Sequence, residues 1–412
     1  MGTAAGRDRE SRDEAPRGFR YGAGASGMRF TGRDDLALIA CDGPAAWSGV
    51  FTTSSAAGAP VVLARRLLSA GGPLRAVLVN AGVANAGTGR AGLADARRAA
   101  RLAAQALDVR PEEVLCASTG WVGERVDVGC LAAALPAVLA DLAPGGSERV
   151  ARAILTSDSV PKRVSARCRV DGRQVRLLGV AKGSGMVAPS MATLLAFVTT
   201  DAACRPGFLR SLWRDVVGES FNALSIDGET SPSDMAVVLA SGAAGNRPLS
   251  RRHPDAPAFG AALREVAVEL VRRLARDGEG AKKLVVLTVT GARSRGDARR
   301  AAAALARSPM VRTAVAGASP AWGRFVAALG ASGVPFAVER FGLAAGDAWL
   351  VQGGRHQGAA AEAEVRRRLA AEEVHLTVAL GRGPGRFTAY TCDLTPDYCA
   401  ENLDPPLPAP RD

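Results

Sequence analysis

Short apolar runs separated by glycine-rich turns dominate the hydrophobic pattern of this chain. Runs of this length, bounded by turn residues, are typical of buried strands. The predicted strands cover residues 36–41, 49–53, 76–80, 114–117, 285–289, 374–380 and 387–392. Apolar residues at three- and four-residue spacing predict helices over residues 93–107, 208–217 and 261–276. Because strands and helices follow one another along the chain, the pattern favours an α/β fold.

Two pairs of segments have the pattern of paired neighbouring strands. Residues 164–170 and 174–180 alternate on either side of Asp171-Gly172, a dipeptide typical of two-residue β-hairpin turns. The strands at 374–380 and 387–392 are predicted to pair through a glycine turn.

Composition and charge narrow the classes of protein. The net charge is +12, from 52 basic and 40 acidic residues in 412, but the arginines are scattered without an aromatic platform. This argues against nucleic-acid binding and fits attraction of acidic substrates. The seven cysteines form no CxxC pair, so we expect free thiols and no metal site. Residues 1–17 are predicted to be a disordered tail. Without a secretory signal or a membrane-spanning run, we expect a cytoplasmic protein without membrane contact.

The central segment, residues 182–197, changes character halfway. Its first half is rich in glycine and its second half is an apolar run, with Thr193 between them. The hydroxyl of a threonine there can attack the carbonyl of Ala192, and the freed α-amine can then act as the base for that hydroxyl. The alternative is a glycine loop that leads into a core element, with Thr193 merely hydrogen-bonded.

Two other short segments carry candidate chemistry. Thr119 and Gly120 follow the strand at 114–117, where a hydroxyl and backbone N–H groups supply the donors of an oxyanion hole. Glu279 lies in a glycine-rich corner after the helix at 261–276, a place where an acid can face a cleft. An ordinary polar turn and a solvated loop are the respective alternatives.

The segment 182–197 resembles the self-cleavage segment of the ornithine acetyltransferase (glutamate N-acetyltransferase) family of arginine biosynthesis. The resemblance runs from about residue 18 to residue 402. Further similar blocks occur at residues 80–89, 118–123, 156–162, 221–234, 308–314, 319–324 and 392–402.

The resemblance implies a role for individual residues. The chain would be cut between Ala192 and Thr193, and Thr193 would become the N-terminal nucleophile. Thr119 and Gly120 would form the oxyanion hole. The substrate contacts implied by the resemblance are Thr156, Lys182, Thr193, Glu279 and Asn402.

The resemblance also implies a fold and a reaction. The fold would be α/β, a sandwich of β-sheets flanked by helices, with a smaller C-terminal α/β domain from about residue 285. Residues 18–192 would form an α chain and residues 193–412 a β chain, assembled as an α2β2 heterotetramer. The acetyl group of acetylornithine would pass through Thr193 to glutamate, without an organic cofactor, although some family members also accept acetyl-CoA.

The sequence departs from the family pattern at three places. Lys282 stands where the family usually has threonine, and Ala321 stands where it has asparagine. Leu407 lies roughly where a terminal hydroxyl binds substrate in the family. Three alternatives therefore stay open: an autocleaving aminopeptidase or amidase, a secondary-metabolism acyltransferase with a different donor, and a non-catalytic binding protein.

Overall fold

The computed structural model describes residues 15–188 and 194–403. The chain divides into two units, each described by itself below. Unit 1 comprises Met1–Gly183, Ser190–Asn222 and Thr230–Leu270, and unit 2 comprises Ser184–Pro189, Ala223–Glu229 and Val271–Asp412. The predicted cleavage site, Ala192 and Thr193, lies outside the described residues.

The strands and helices of the described residues are as follows. The strands are β1 (Phe19–Gly24), β2 (Leu36–Phe51), β3 (Leu74–Val83), β4 (Val114–Trp121), β5 (Lys162–Val170), β6 (Arg173–Lys182), β7 (Leu195–Thr200), β8 (Leu224–Ser225), β9 (Met235–Ala240), β10 (Leu284–Ala292), β11 (Gly342–Ala345), β12 (Ala348–Gln352), β13 (Arg355–His356), β14 (Glu373–Ala379) and β15 (Gly385–Cys392). The helices are α1 (Ala59–Ala70), α2 (Gly89–Leu107), α3 (Val128–Ala140), α4 (Ser147–Ala153), α5 (Pro206–Glu219), α6 (Ala256–Arg276), α7 (Arg295–Arg307), α8 (Pro309–Ala316), α9 (Trp322–Ala331), α10 (Ala359–Leu369) and α11 (Pro396–Asn402). In this part of the chain, none of the helices has the length and apolar composition of a membrane span.

The sheet of unit 1 is mixed, with the strand order β4-β3-β2-β9-β7-β6-β5 and with β1 paired to β2. Residues 36–41 and 49–53 were expected to form two strands, but a single long strand, β2, covers most of both. The polar Asp42-Gly43-Pro44 sequence suggests that the strand is interrupted there. Instead, the pairing of β2 with β3 shifts its register between Ala40 and Ala45, so the strand continues through these residues. As a result, β2 joins β1 and β3 at one end to β9 at the other.

Both faces of this sheet are buried, because alternate residues of its strands belong to different cores. On one face, Ala37 and Ile39 pack in a cluster with residues of α1 and α4. On the other face, Leu36 and Leu38 pack with residues of α2 and α3. Alanine lines much of α2 on its buried side, which allows that helix to approach the sheet closely. The predicted α/β fold, with sheets flanked by helices, is confirmed.

The predicted hairpin at 164–180 is confirmed as β5 and β6. Val170 pairs with Arg173, so the turn contains only Asp171 and Gly172. Both turn residues have positive φ angles, 51° and 72°, as a two-residue turn of this type requires. The hairpin brings the chain to Lys182 beside β7, because β6 pairs with β7.

Part of the segment predicted to be a disordered tail is packed against unit 1. Ala15 is buried. The Arg17 side chain donates to the buried carboxylate of Asp201 at 2.9 Å. Residues 1–14 lie outside the described residues.

The sheet of unit 2 has the strand order β13-β12-β11-β14-β10-β15-β8. The expectation that residues 374–380 and 387–392 pair directly is wrong, because β10 lies between β14 and β15. The connection crosses the end of β10 instead: the Leu380 N–H donates to the Thr290 carbonyl, and the Gly383 N–H donates to the Gly291 carbonyl. A glycine-rich link between two strands therefore does not by itself establish that they are neighbours.

We expect Tyr21→Phe to lower the free energy of unfolding by about 1 kcal/mol, the usual contribution of one buried neutral hydrogen bond. Tyr21 is buried and its hydroxyl lies 2.7 Å from the Thr199 hydroxyl, which donates in turn to the Leu178 carbonyl. Phenylalanine keeps the ring and removes only this contact. Urea unfolding of both proteins measures the difference, and identical midpoints would show that the contact contributes nothing.

Candidate active site

Thr119 and Gly120 lie inside β4, not after its end as the sequence suggested. The strand continues to Trp121 because β4 pairs in parallel with β3 as far as Val83, and Gly120 lies opposite Gly82. Gly120 has a φ angle of 124°, and a Cβ atom at this position would lie 2.2 Å from the carbonyl carbon of Gly82. The position therefore requires glycine.

The Thr119 hydroxyl is buried without a hydrogen-bond partner within residues 15–188 and 194–403. Burial of an unpaired hydroxyl is unfavourable, so such a group commonly has a functional reason. The neighbouring Ser118 differs, because its hydroxyl donates to the Asn80 side chain at 2.6 Å.

Thr156 and Lys182 lie together in unit 1. The Lys182 ammonium donates to the Thr156 hydroxyl at 2.7 Å and lies 3.3 Å from a carboxylate oxygen of Asp158. The other oxygen of Asp158 accepts from Lys162 and from the Gly183 N–H, each at 2.6 Å. The sequence thus places two buried ammonium groups around one buried carboxylate.

Electrostatic attraction determines the ionisation of Asp158. Burial opposes the charged form, but the ammonium groups of Lys182 and Lys162 outweigh it and hold the pKa of Asp158 far below its usual range. Asp158 therefore remains a carboxylate at any pH near neutrality, and it fixes the position of Lys182.

Asp234 and Leu194 form a second buried contact of unit 1, immediately after the predicted nucleophile in the sequence. The Leu194 N–H donates to one Asp234 oxygen at 3.0 Å, and the Leu194 carbonyl accepts from the Met235 N–H at 3.0 Å. The second Asp234 oxygen is buried and has no partner among the described residues. Burial raises the pKa of Asp234 well above its usual value, against the opposing effects of the Leu194 N–H, the nearby Thr52 hydroxyl and Lys182.

Sequence reasoning did not single out Asp234 as a functional residue. It lies within the block at 221–234, which the sequence distinguishes only by its resemblance to the family. A signal was available, because Asp234 directly precedes the apolar strand β9, and a charged residue at the entrance to a buried strand needs a partner.

Glu279 and Asn402 lie together in unit 2. The Asn402 amide donates to a Glu279 carboxylate oxygen at 3.0 Å and to the Tyr398 carbonyl at 2.9 Å. The Glu279 N–H donates to the Ser184 carbonyl at 2.9 Å. A Cβ atom on Gly185 would lie 2.4 Å from the Glu279 carboxylate oxygens, so glycine at 185 leaves room for this carboxylate.

Two of the departures from the family pattern fall on described residues. The Lys282 ammonium is exposed and lies 2.6 Å from a carboxylate oxygen of Asp397. Ala321 directly precedes α9, where it supplies no side-chain acceptor to the first turn of that helix. Leu407 lies outside the described residues.

Asp171, His253 and Asp255 form the one cluster of potential metal ligands found among the described residues, with ligand atoms within 4.8 Å of one another. Protein groups already occupy these atoms. His253 Nδ1 accepts from the Asp255 N–H, the Asp255 carboxylate accepts from the Asp171 N–H, and the Asp171 carboxylate accepts from Arg247. The cluster therefore ties the β5–β6 turn to the start of α6.

Comparisons with known proteins extend over almost the whole chain. The model of the ArgJ family matches residues 20–404. The arginine biosynthesis bifunctional protein ArgJ of Thermus thermophilus is 46% identical, over 94% of this chain and 97% of its own. The same protein of Geobacter sulfurreducens is 42% identical, over 94% and 98%. A crystal structure of the arginine biosynthesis bifunctional protein from Bacillus halodurans is 39% identical, with a TM-score of 0.49, over 50% of this chain and 97% of that chain.

The α/β fold and these matches define the class of the protein: it is an enzyme, an N-acyltransferase. Both the family model and the relatives cover more than nine tenths of the chain. The chain belongs to the ArgJ family. The family and the enzyme class predicted from the central segment are confirmed.

We expect Asp158→Asn to destabilise the protein by about 3–5 kcal/mol at pH 7, because two buried ammonium groups then lose their countercharge. A depressed pKa contributes stability that is present above the unfolded value, about 3.9, and is lost only as the pH falls through the folded value. The effect should therefore be equal at pH 7 and pH 5 in urea unfolding. Asp42→Asn, at an exposed pair with Arg20, is the control and should change little.

An effect of Asp158→Asn that disappears between pH 7 and pH 5 would contradict this account. It would mean that the Asp158 carboxyl becomes protonated at mildly acidic pH in the folded protein.

Proposed function

We propose that the protein transfers the acetyl group of N2-acetylornithine to glutamate through an acetyl-threonine intermediate at Thr193. The products are ornithine and N-acetylglutamate. The observation that carries this proposal is membership of the ArgJ family over residues 20–404, with relatives named for arginine biosynthesis. The segment around Thr193 adds the residue that the chemistry needs.

The nucleophile is Thr193, released as a new N-terminus by cleavage after Ala192. Its hydroxyl attacks the acetyl carbonyl of the donor, and its α-amine accepts the hydroxyl proton. Ornithine leaves with a proton, and the acetyl group stays on the Thr193 oxygen. The amine of glutamate then attacks this ester, takes the acetyl group and restores the free hydroxyl. Because the base belongs to the nucleophile itself, the mechanism needs no histidine and no organic cofactor.

Thr119 and Gly120 stabilise the oxyanion of the tetrahedral intermediate in this proposal. The Thr119 hydroxyl is buried and unpaired within the described residues, so it is a donor shielded from bulk solvent. A donor that is desolvated before the reaction needs no reorganisation when negative charge develops on the substrate oxygen.

Lys182 is assigned to a substrate carboxylate. An ammonium group has three N–H donors, and two of them are directed to Asp158 and Thr156. Thr156 is then both a substrate contact, as the resemblance implies, and an anchor of Lys182. The fixed ammonium provides a charge-assisted hydrogen bond to an amino-acid carboxylate.

Glu279 is assigned to a substrate ammonium group. One of its oxygens accepts from Asn402, which holds the carboxylate in place and leaves acceptor positions on both oxygens. Asn402 thereby orients Glu279 in addition to any direct substrate contact. N2-acetylornithine keeps a free side-chain ammonium group, which is the group that this assignment fits.

The remaining parts of the proposal follow from the resemblance. They are cytoplasmic location, an α2β2 assembly of the two cleaved chains, and optional use of acetyl-CoA as acetyl donor.

We expect Thr193→Ala to remain one uncut chain and to lose acetyl transfer, because both the attacking hydroxyl and the new α-amine are missing. Intact mass and the release of ornithine from acetylornithine measure the two effects. Thr313→Ala is the matched control and should behave as the wild type, because it removes an exposed side chain on α8 that bonds only to its own helix and to the exposed Arg324 side chain of α9. Full activity of Thr193→Ala would rule out the mechanism.

The same assay with and without glutamate separates transfer from hydrolysis. With glutamate present, transfer gives N-acetylglutamate. Without glutamate, a transferase stops after one turnover. Acetylornithine consumption that continues without glutamate would instead identify an amidase.

We expect Thr119→Ala to lower kcat by about 10²- to 10³-fold with a small change in KM, because the lost donor acts on the transition state. Thr119→Ser keeps the hydroxyl and should retain most of the activity. Steady-state kinetics on the cleaved enzymes provides the test. If the alanine variant instead raised KM without changing kcat, Thr119 would be a ground-state binding residue.

A further inference from the structure

A cleft of about 480 Å³ lies within unit 2, at the end of β10. It is lined by residues from three separate segments of the chain, and each segment contributes one arginine: Arg293, Arg340 and Arg382. None of the described residues that line the cleft is acidic. The volume is within the range of sites that bind small molecules.

Close packing of two glycine-containing segments brings Arg293 and Arg382 to the same cleft. Gly291 has a φ angle of 71°, and a Cβ atom at this position would overlap the carbonyl oxygen of Gly381. Because glycine has no side chain, the loop at 380–383 can lie directly against the end of β10. The two arginines that flank this contact therefore line one cavity.

The positive charge of the three arginines is only partly neutralised by the protein. The side chains of Arg340 and Arg382 have no ion-pair or hydrogen-bond partner within residues 15–188 and 194–403. Arg293 lies 3.6 Å from a carboxylate oxygen of Asp297, but Asp297 pairs more closely with Arg300, at 2.7 Å. Like charges that line one cleft repel one another, and a bound multivalent anion removes this repulsion.

Apolar side chains line the cleft beside the arginines. Phe336 is half-buried against the buried Phe341, with ring centroids 6.2 Å apart, and it also lines the cleft. Pro335 and Leu380 line the cleft as well. An aromatic ring held beside guanidinium groups provides a stacking surface for a planar group whose charged part binds to the arginines.

The length of β10 separates this cleft from the residues of unit 2 that we assign to substrate. Glu279 precedes β10, and Asn402 follows the end of β15 that pairs with the first residue of β10. Arg293 directly follows the last residue of β10. At about 3.3 Å per residue, this strand of nine residues spans roughly 25–30 Å. A ligand in the cleft therefore does not occupy the position assigned to the substrate ammonium group.

We propose that this cleft binds a small polyphosphate that carries an aromatic ring, which is the chemistry of a nucleoside diphosphate. Guanidinium groups bind phosphate oxygens through paired hydrogen bonds, so three of them suit a ligand with two or more phosphate groups. Phe336 provides the surface on which the base stacks. The inference does not depend on the proposed function, because none of these residues is assigned to acetyl transfer.

Calorimetric titration of the purified protein with ADP tests the proposal, with pyrophosphate and adenosine as separate probes. ADP should bind most tightly, pyrophosphate should bind less tightly, and adenosine, which has no phosphate, should give no binding heat. Arg340→Gln and Arg382→Gln should each weaken ADP binding by about ten-fold or more, because each removes a charged hydrogen-bond donor. Arg366→Gln is the matched control, because it removes an exposed arginine of α10 that does not line the cleft. It should bind ADP as the wild type does.

Phe336→Leu tests the aromatic part of the proposal separately. It keeps an apolar side chain, so it should weaken ADP binding by about ten-fold and leave pyrophosphate binding unchanged. The thermal unfolding midpoint of each arginine variant should equal that of the wild type, because the changed side chains are exposed. A wild type that binds neither ADP nor pyrophosphate, or equal ADP affinity in Arg340→Gln, Arg382→Gln and the control, would overturn the inference. Equal affinity of the wild type for ADP and pyrophosphate would overturn the role of Phe336.

Discussion

The hydrogen bonds of its backbone N–H and carbonyl hold Leu194 in place, and the rest of the account depends on this constraint. The residue enters β7, a strand paired with β6 on one side and β9 on the other. Its N–H donates to Asp234, the acid that precedes β9, and its carbonyl accepts from the N–H of Met235, the first residue of β9. The residue that follows the predicted nucleophile in the sequence is therefore fixed by hydrogen bonds of its own backbone.

Unit 1 shows how environment assigns opposite ionisation states to two buried acids. Asp158 lies between two ammonium groups and stays charged, whereas Asp234 has only backbone and hydroxyl neighbours at close range and favours the neutral form. The charged acid fixes the position of the Lys182 ammonium, the group that we propose binds a substrate carboxylate. Pairs of titratable groups whose surroundings drive their pKa values apart are typical of sites that perform acid–base chemistry.

The sequence predicted those features that depend on local pattern. The β5–β6 hairpin follows from alternation around Asp171-Gly172, and β3 and β4 follow from short apolar runs bounded by turn residues. Features that depend on long-range pairing were missed. Strand β2 continues across a polar stretch because a bulge accommodates the extra residues, and β10 lies between β14 and β15. Asp234 was missed for the same reason, because its partner Leu194 is 40 residues away in the sequence. The roles of Thr156, Lys182, Glu279 and Asn402 came from family resemblance, and the contacts of these residues give those roles a physical basis.

The most direct test of the central claim is the mass of the acyl-enzyme. Purified protein is mixed with N2-acetylornithine without glutamate, quenched in acid within one turnover, and analysed by intact mass and peptide mapping. The account predicts two chains, with one added acetyl group on the chain that begins at Thr193 and on that residue itself. A single uncut chain that is active, or an acetyl group on any other residue, would contradict it.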